Sequence, residues 1–148
     1  MVSERKENYA EADSLYRHAL VMGRSLHGND DPRVARGLNN YSVFLLRRGD
    51  PIRAESLIRE ALAIRRAQRG EDHWETGSSK SSLGACLVAQ ARYAEAEPFL
   101  VQGYETLKKA RGENHRFTKR ALNHLIELYN GWEKPEKAEA YEALLSNQ

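Results

Sequence analysis

Four alanines, Ala12, Ala54, Ala96 and Ala138, stand 42 residues apart, three times over. Each lies in a similar string: YAEADSLY at 9–16, IRAESLIR at 52–59, YAEAEPFL at 93–100 and KAEAYEAL at 137–144. A fixed period between about 20 and 50 residues marks a chain of stacked units. Each unit is too small to bury its own apolar face, so its neighbours supply the rest of the core. No other feature narrows the fold so far.

Within each period the apolar residues recur every three or four positions, as on one face of a helix. Breakers separate the runs. Gly28, Gly70 and Gly112 keep the 42-residue register and end alternate helices. Gly49-Asp50-Pro51 makes a tight turn, and Asp31-Pro32 starts a helix with an acidic cap. Asp72 and Asn114 are the expected caps after the other two linkers. The reading gives helices at 9–26, 33–48, 52–68, 73–90, 93–110, 115–131 and 134–146, with residues 1–8 frayed. No stretch alternates with period two, so no strand is predicted. Neighbouring helices joined by short linkers pack antiparallel. Pro98 lies inside the fifth helix and predicts a mild bend or a late start there.

The expected core follows from the phase. Ala12, Leu15, Ala19 and Met22 form one stripe. Leu38, Tyr41, Ser42 and Leu45 face in from the second helix, and Ala54, Leu57, Ile58, Ala61 and Ile64 from the third. Leu83, Gly84 and Leu87 follow in the fourth, then Leu122, Leu125, Ile126 and Tyr129 in the sixth.

The alanine column, the small residues Ser42 and Gly84 and the helix–turn–helix period resemble the tetratricopeptide repeat. That family's basic unit is about 34 residues. This one is longer, with a Gly-x-[Asp/Asn]-x linker at 28–31, 70–73 and 112–115, and so resembles the repeats of kinesin light chain. Gly37-Leu38-Asn39-Asn40-Tyr41 is similar to that family's Leu-Asn-Asn pattern. A narrower resemblance, over 70–145, is to the C-terminal arrays of many bacterial serine/threonine kinases. It rests on His73-Trp74-Glu75-Thr76, Leu83-Gly84-Ala85-Cys86-Leu87, Gly103-Tyr104-Glu105 and Lys134-Pro135-Glu136-Lys137-Ala138.

The resemblance implies an all-α, right-handed superhelical α-solenoid of antiparallel hairpins, filling 1–148 as a single array. An orphan second helix at 9–27 precedes hairpins 31–69, 73–111 and 115–146. In such arrays the first helix of each unit lines a concave groove. That places Arg36, Asn39, Val43 and Arg47 in the groove from one unit, Ser78, Ser81 and Ala85 from the next, and Arg120, Asn123 and Glu127 from the last. Residues three apart share a helix face. Asparagine offers both donor and acceptor to a peptide backbone, and arginine a planar fork to carboxylates or phosphates. The expected occupant is therefore an extended peptide, acidic in character, or a partner helix. Ser81, Ala85 and Val88 are small enough to leave room for its side chains.

Other classes are disfavoured. The 23 basic and 21 acidic residues leave a net charge of +2, too small an excess for a dedicated nucleic-acid binder. With Cys86 alone, no internal disulfide or Cys-x-x-Cys pair can form, and a lone thiol suits a reducing, cytoplasmic setting. No metal or cofactor motif occurs, and no catalytic residue is assigned. His73 and His115 recur in register, which repetition alone explains. Asp50 and Glu55 are expected as caps and first-turn dipole partners. No apolar run is long enough to span a membrane. The alternative function is self-association through the unpaired helix at 9–26, whose Leu15, Leu20 and Met22 lack a partner helix.

Overall fold

The computed structural model describes residues 2–146. Seven helices run in order: α1 Val2–His27, α2 Pro32–Arg47, α3 Pro51–Arg69, α4 Trp74–Ala89, α5 Tyr93–Arg111, α6 Arg116–Gly131 and α7 Pro135–Ser146. No strand occurs among the described residues. Pairs α2–α3, α4–α5 and α6–α7 pack as hairpins, and α1 lies on α2 as α3 lies on α4 and α5 on α6. The result is a stacked array of antiparallel helical hairpins led by one unpaired helix.

Local chemistry explains the boundaries. Asp31 and Asp50 cap α2 and α3, each accepting from a backbone N–H in the first turn (2.8 Å from Arg33, 3.3 Å from Arg53). Pro32 and Pro51 follow at the first helical position. At the other two linkers the caps are histidines rather than Asp72 and Asn114. His73 Nδ1 accepts from Glu75 N–H at 3.1 Å, and His115 Nδ1 from Phe117 N–H at 3.2 Å. An imidazole nitrogen can cap in this way while unprotonated, and that accounts for histidine recurring in register. Residues 2–8, expected to fray, instead extend α1 by two turns. The helix containing Pro98 starts without delay at Tyr93.

The turn inside each hairpin shows how far the period constrains the backbone. Gly49 has a φ of 84° there. The residues 42 and 84 positions on are Ala91 and Glu133, and both take the same left-handed conformation, at 57° and 56°. Side chains rarely adopt it, at a cost of about 1–2 kcal/mol.

The alanine column is fully buried in α3, α5 and α7, while Ala12 is only half-buried. This difference shows which face of α1 is uncovered. In α3 the residues Ala61 and Ile64 are 0% and 5% exposed; their counterparts Ala19 and Met22 lie open in α1, Met22 at 50%. Leu15, Val21 and Leu26 are open too. The stripe expected to pack therefore faces away from α2. The face that does pack holds Asp13, Tyr16 and Leu20, with the Tyr16 ring stacked on Tyr41 at 5.5 Å.

Asp13 was not foreseen in the core, and its burial has a clear partner set. It accepts from Tyr41 Oη at 2.7 Å and from Arg53 at 3.3 Å, and pairs with Arg17 at 2.6 Å. Burial works to raise its pKa, but the Tyr41 hydroxyl and the Arg53 and Arg17 charges hold it below the usual carboxylate value. The counterparts Glu55 and Glu97 repeat the device. Glu55 binds Arg92 at 2.7 Å, and Glu97 takes the Tyr129 hydroxyl at 2.8 Å with Lys137 at 3.6 Å. Glu55 is thus a tie between units rather than a first-turn dipole partner.

Helices α4 and α5 come close enough that a side chain at Gly103 has no room. A Cβ at Gly103 would lie 2.8 Å from Gly77 O and 2.9 Å from Ser81 N. Gly84 makes room for Leu100 in the same way. Leu57 and Ile126, expected in the core, are only half-buried, whereas Leu62, Leu100, Leu107, Ala121 and Leu128 join it.

Candidate functional site

The first helices α2, α4 and α6 come together along one side of the array, since α2 and α6 each touch α4 directly. A cavity of about 650 Å³ opens there. Arg36, Asn39, Val43, Arg47, Ser78 and Arg120 line it, so six of the ten groove residues named from the sequence share one wall. Val43, Arg47 and Arg120 continue into a smaller adjoining cavity of about 250 Å³ with Ala85.

The other three residues lie elsewhere. Ser81 is 4% exposed, and its Oγ is hydrogen-bonded to His124 Nδ1 at 2.9 Å, so it seals the contact between α4 and α6 rather than facing a ligand. Burial, with the nearby Arg120 charge, pushes the His124 pKa down to about 4, which keeps the ring neutral. Asn123 and Glu127 are exposed but line neither cavity. Val88 also lies outside both; the room expected beside it is supplied by Ser82 and Ala85.

Sequence reasoning missed one component of the site. Only first helices were expected to line the groove, yet Arg65 and Arg69 enter it from the last turns of α3, and Arg33 from the start of α2. The larger cavity therefore carries six guanidiniums: Arg33, Arg36, Arg47, Arg65, Arg69 and Arg120. Its lining holds one carboxylate, Glu75. A visible signal was the basic run Arg65-Arg66 and Arg69 at a helix C-terminus, a pattern that the helix dipole favours by itself.

The six are not equivalent. Arg33 is held by Asp31 in a two-pronged pair at 3.0 and 3.1 Å. Arg65 and Arg69 share Glu75, at 3.5 and 3.9 Å. Arg65 is 6% exposed and donates from Nη1 to Ser79 Oγ at 2.9 Å and to the Glu75 carbonyl at 3.3 Å. Its Nε makes no hydrogen bond, with Glu75 Oε2 the near oxygen at 3.5 Å. Arg36, Arg47 and Arg120 make no ion pair within 4 Å among the described residues. Asn39 also holds a buried, unpartnered Oδ1 in the wall, and Asn40 stands beside it.

Aromatic rings frame the basic wall. Trp74 and Phe117 stack at 5.4 Å with planes 10° apart. Arg111 lies over the outer face of Trp74 at 4.5 Å, and Arg116 and Arg120 lie near Phe117 at 4.9 and 5.7 Å. The pair is already sandwiched by cations. It acts as a fixed prop between two linkers. Trp132 is likewise stacked on Tyr93, at 6.2 Å.

Nothing in the site assembles reactive groups. Among the described residues, no three His, Cys, Asp or Glu side chains gather to hold a metal. Cys86 is buried, and burial raises its thiol pKa to about 11. No described helix is long and apolar enough to cross a membrane.

A family model described as tetratricopeptide repeat matches residues 1–67 and, in a second register, 33–109. No curated protein matches the chain. Among solved structures, BtubC (BKLC) from P. vanneervenii superposes with a TM-score of 0.79 at 21% identity, over 95% of this chain and 56% of its own. A putative kinesin light chain of nearly identical TPR-like repeats, from P. anserina, gives 0.72 at 17% identity, over 96% of this chain and 69% of its own. The chain thus spans little more than half of the first of these. At such identities the likeness establishes the fold alone.

Proposed function

The chain belongs to the tetratricopeptide repeat family, and on that premise we propose that it is a non-catalytic protein-interaction module. Its groove holds an extended, acidic peptide segment. The observation that carries this reading is the charge imbalance of the large cavity: six arginines and one carboxylate, supplied by α2, α3, α4 and α6. A concave surface of one sign attracts the opposite sign and concentrates it. Asn39 and Asn40 add donors and acceptors for the backbone of whatever lies there, each bond contributing about 1 kcal/mol net. Broad sequence tolerance with a demand for negative charge follows from that combination.

The test is the double variant Arg36→Gln with Arg120→Gln, both exposed and free of ion pairs in the array. Binding of a labelled peptide of mixed Asp, Glu, Ser and Gly is read by fluorescence anisotropy. The double variant should bind at least about tenfold more weakly, with its helical spectrum intact, and wild-type binding should weaken steeply with added salt. Unchanged capture in the double variant would remove the groove from the account.

A second reading has its own observation. The open face of α1, with Leu15, Val21, Met22 and Leu26 at 50–71% exposure, is a surface that a second copy could cover. Sedimentation across a concentration series separates the two, because groove binding makes no demand on oligomeric state. The placement of this array within a larger signalling protein, beside a kinase domain in the cytoplasm, has the resemblance over 70–145 as its support.

A further inference from the structure

The guanidiniums of the large cavity are unevenly matched, and the mismatch is concentrated at one pole. Arg33 is neutralised by Asp31. Arg36, Arg65 and Arg69 have only Glu75 among them, which leaves two positive charges uncompensated. Arg65 is the informative member. A guanidinium 94% buried, whose Nε makes no hydrogen bond and has only Glu75 Oε2 near it at 3.5 Å, is a costly arrangement unless something else completes it. Its fixed geometry, held by Ser79 and the Glu75 carbonyl, already orders the side chain before any ligand arrives.

We propose that this Arg36–Arg65–Arg69 pole is a seat for a phosphorylated serine or threonine carried by the captured segment. The proposal rests on the reading of the cavity as a peptide groove and specifies its ligand. A phosphate monoester brings a charge of about −1.5 to −2 at neutral pH and three acceptor oxygens. Its charge closes the imbalance, and its oxygens suffice for the forks of Arg36 and Arg69 beside the buried Arg65. One carboxylate supplies half the charge and two oxygens, and leaves the pole positive. Arg47 and Arg120 border both cavities, and they remain for acidic residues flanking the phosphate. The electrostatics of Arg65 agree. Burial lowers its pKa, Glu75 works against that, and the Arg36 and Arg69 charges lower it further, as in a site with surplus positive field.

The test uses three probes on the full chain: N-acetyl-phosphoserine methylamide, N-acetyl-glutamate methylamide and inorganic phosphate. Arginine Nε–Hε signals are followed by NMR at fixed ionic strength. The phosphoserine probe should shift the Arg65 signal saturably at pH 7.5 and bind at least about tenfold more tightly than the glutamate probe. The advantage should fade toward pH 5, because the second phosphate proton binds with a pKa of about 6. Arg36→Gln and Arg69→Gln should each weaken the phosphoserine probe about fivefold or more, while Arg24→Gln, which removes a pair with Glu60 outside the cavity, should not. Equal affinity for phosphoserine and glutamate, or an unmoved Arg65 signal, overturns the seat. Inorganic phosphate binding as tightly as the phosphoserine probe makes this a free-anion site and overturns the peptide-borne assignment. If the acidic peptide is still captured while the phosphoserine probe shows no preference, only the seat falls. If neither binds in the cavity, the groove reading falls with it.

Discussion

Replacing Gly103 with alanine tests whether α4 and α5 approach as closely as the structure has them. The new methyl would lie 2.8 Å from Gly77 O and 2.9 Å from Ser81 N, where ordinary contact begins near 3.4 Å. Both obstacles are backbone atoms inside a helix, so no rotamer change relieves them. The helices must part by about half an ångström along a packed face, and overpacking of this kind costs about 1–3 kcal/mol. Against that, alanine is better than glycine in a helix by about 1 kcal/mol. Gly37→Ala isolates this favourable part, because a Cβ there meets nothing within 4 Å. The expected outcome is a Gly37→Ala protein stabilised by about 0.5–1 kcal/mol and a Gly103→Ala protein destabilised by up to about 2 kcal/mol. The gap between them, about 1–3 kcal/mol, is the steric term alone. Urea unfolding followed by far-UV circular dichroism reads it. A gap under about 0.5 kcal/mol would mean that the two helices are not in backbone contact, and the small-residue explanation of the α4–α5 hairpin would be wrong.

Three further outcomes follow from single groups. His124 has its folded-state pKa depressed to about 4, so the unfolded chain binds this proton first. Its contribution is intact above pH 6.5 and is lost as pH falls toward 4, by up to about 3 kcal/mol; His124→Gln should flatten the unfolding midpoint over that window. Cys86, buried with its thiol pKa raised to about 11, should resist maleimide at pH 7 in the native protein and react fully in urea; rapid native labelling would contradict its burial. Ala91→Gly and Glu133→Gly should each raise stability by about 0.5–1 kcal/mol, since both residues hold left-handed backbone that glycine adopts freely. A loss at either position would refute the strain.

The fold was legible because period and phase are written redundantly. Ala54, Ala96 and Ala138 and the linker glycines all report the same 42-residue unit, so an error in one is corrected by the others, and the Asp-Pro pairs mark helix starts within it. The features that escaped are those that repetition does not encode. Asp13 reads as a surface carboxylate until Tyr41 and Arg53, 28 and 40 residues away, are brought beside it. The mistaken stripe on α1 arose because Leu15, Ala19 and Met22 are apolar for a mate that no described helix supplies. The histidine caps escaped because aspartate and asparagine stood one residue earlier, with the stronger general preference.

The site was half legible for a related reason. Arg36, Asn39, Val43, Arg47, Ser78 and Arg120 follow from helix phase, and the cavity gathers them. Ser81 fell out because His124 comes close enough to bond it, which is a matter of how α4 crosses α6 rather than of spacing. Arg65 and Arg69 were not assigned to the groove because they sit on a second helix, whose general role is to form the outer layer. Only the three-dimensional turn at Gly70 carries the end of α3 to the mouth of the groove.

The central claim is that an acidic segment lies along the arginine-lined cavity. The most direct measurement is a map of backbone and side-chain NMR signals as the mixed Asp, Glu, Ser and Gly peptide is added to the full chain. The account predicts saturable shifts at Arg36, Asn39, Val43, Arg47, Ser78 and Arg120, with Leu15, Val21 and Met22 unmoved. Shifts confined to the open face of α1, or no saturable shift at the cavity arginines, would contradict it.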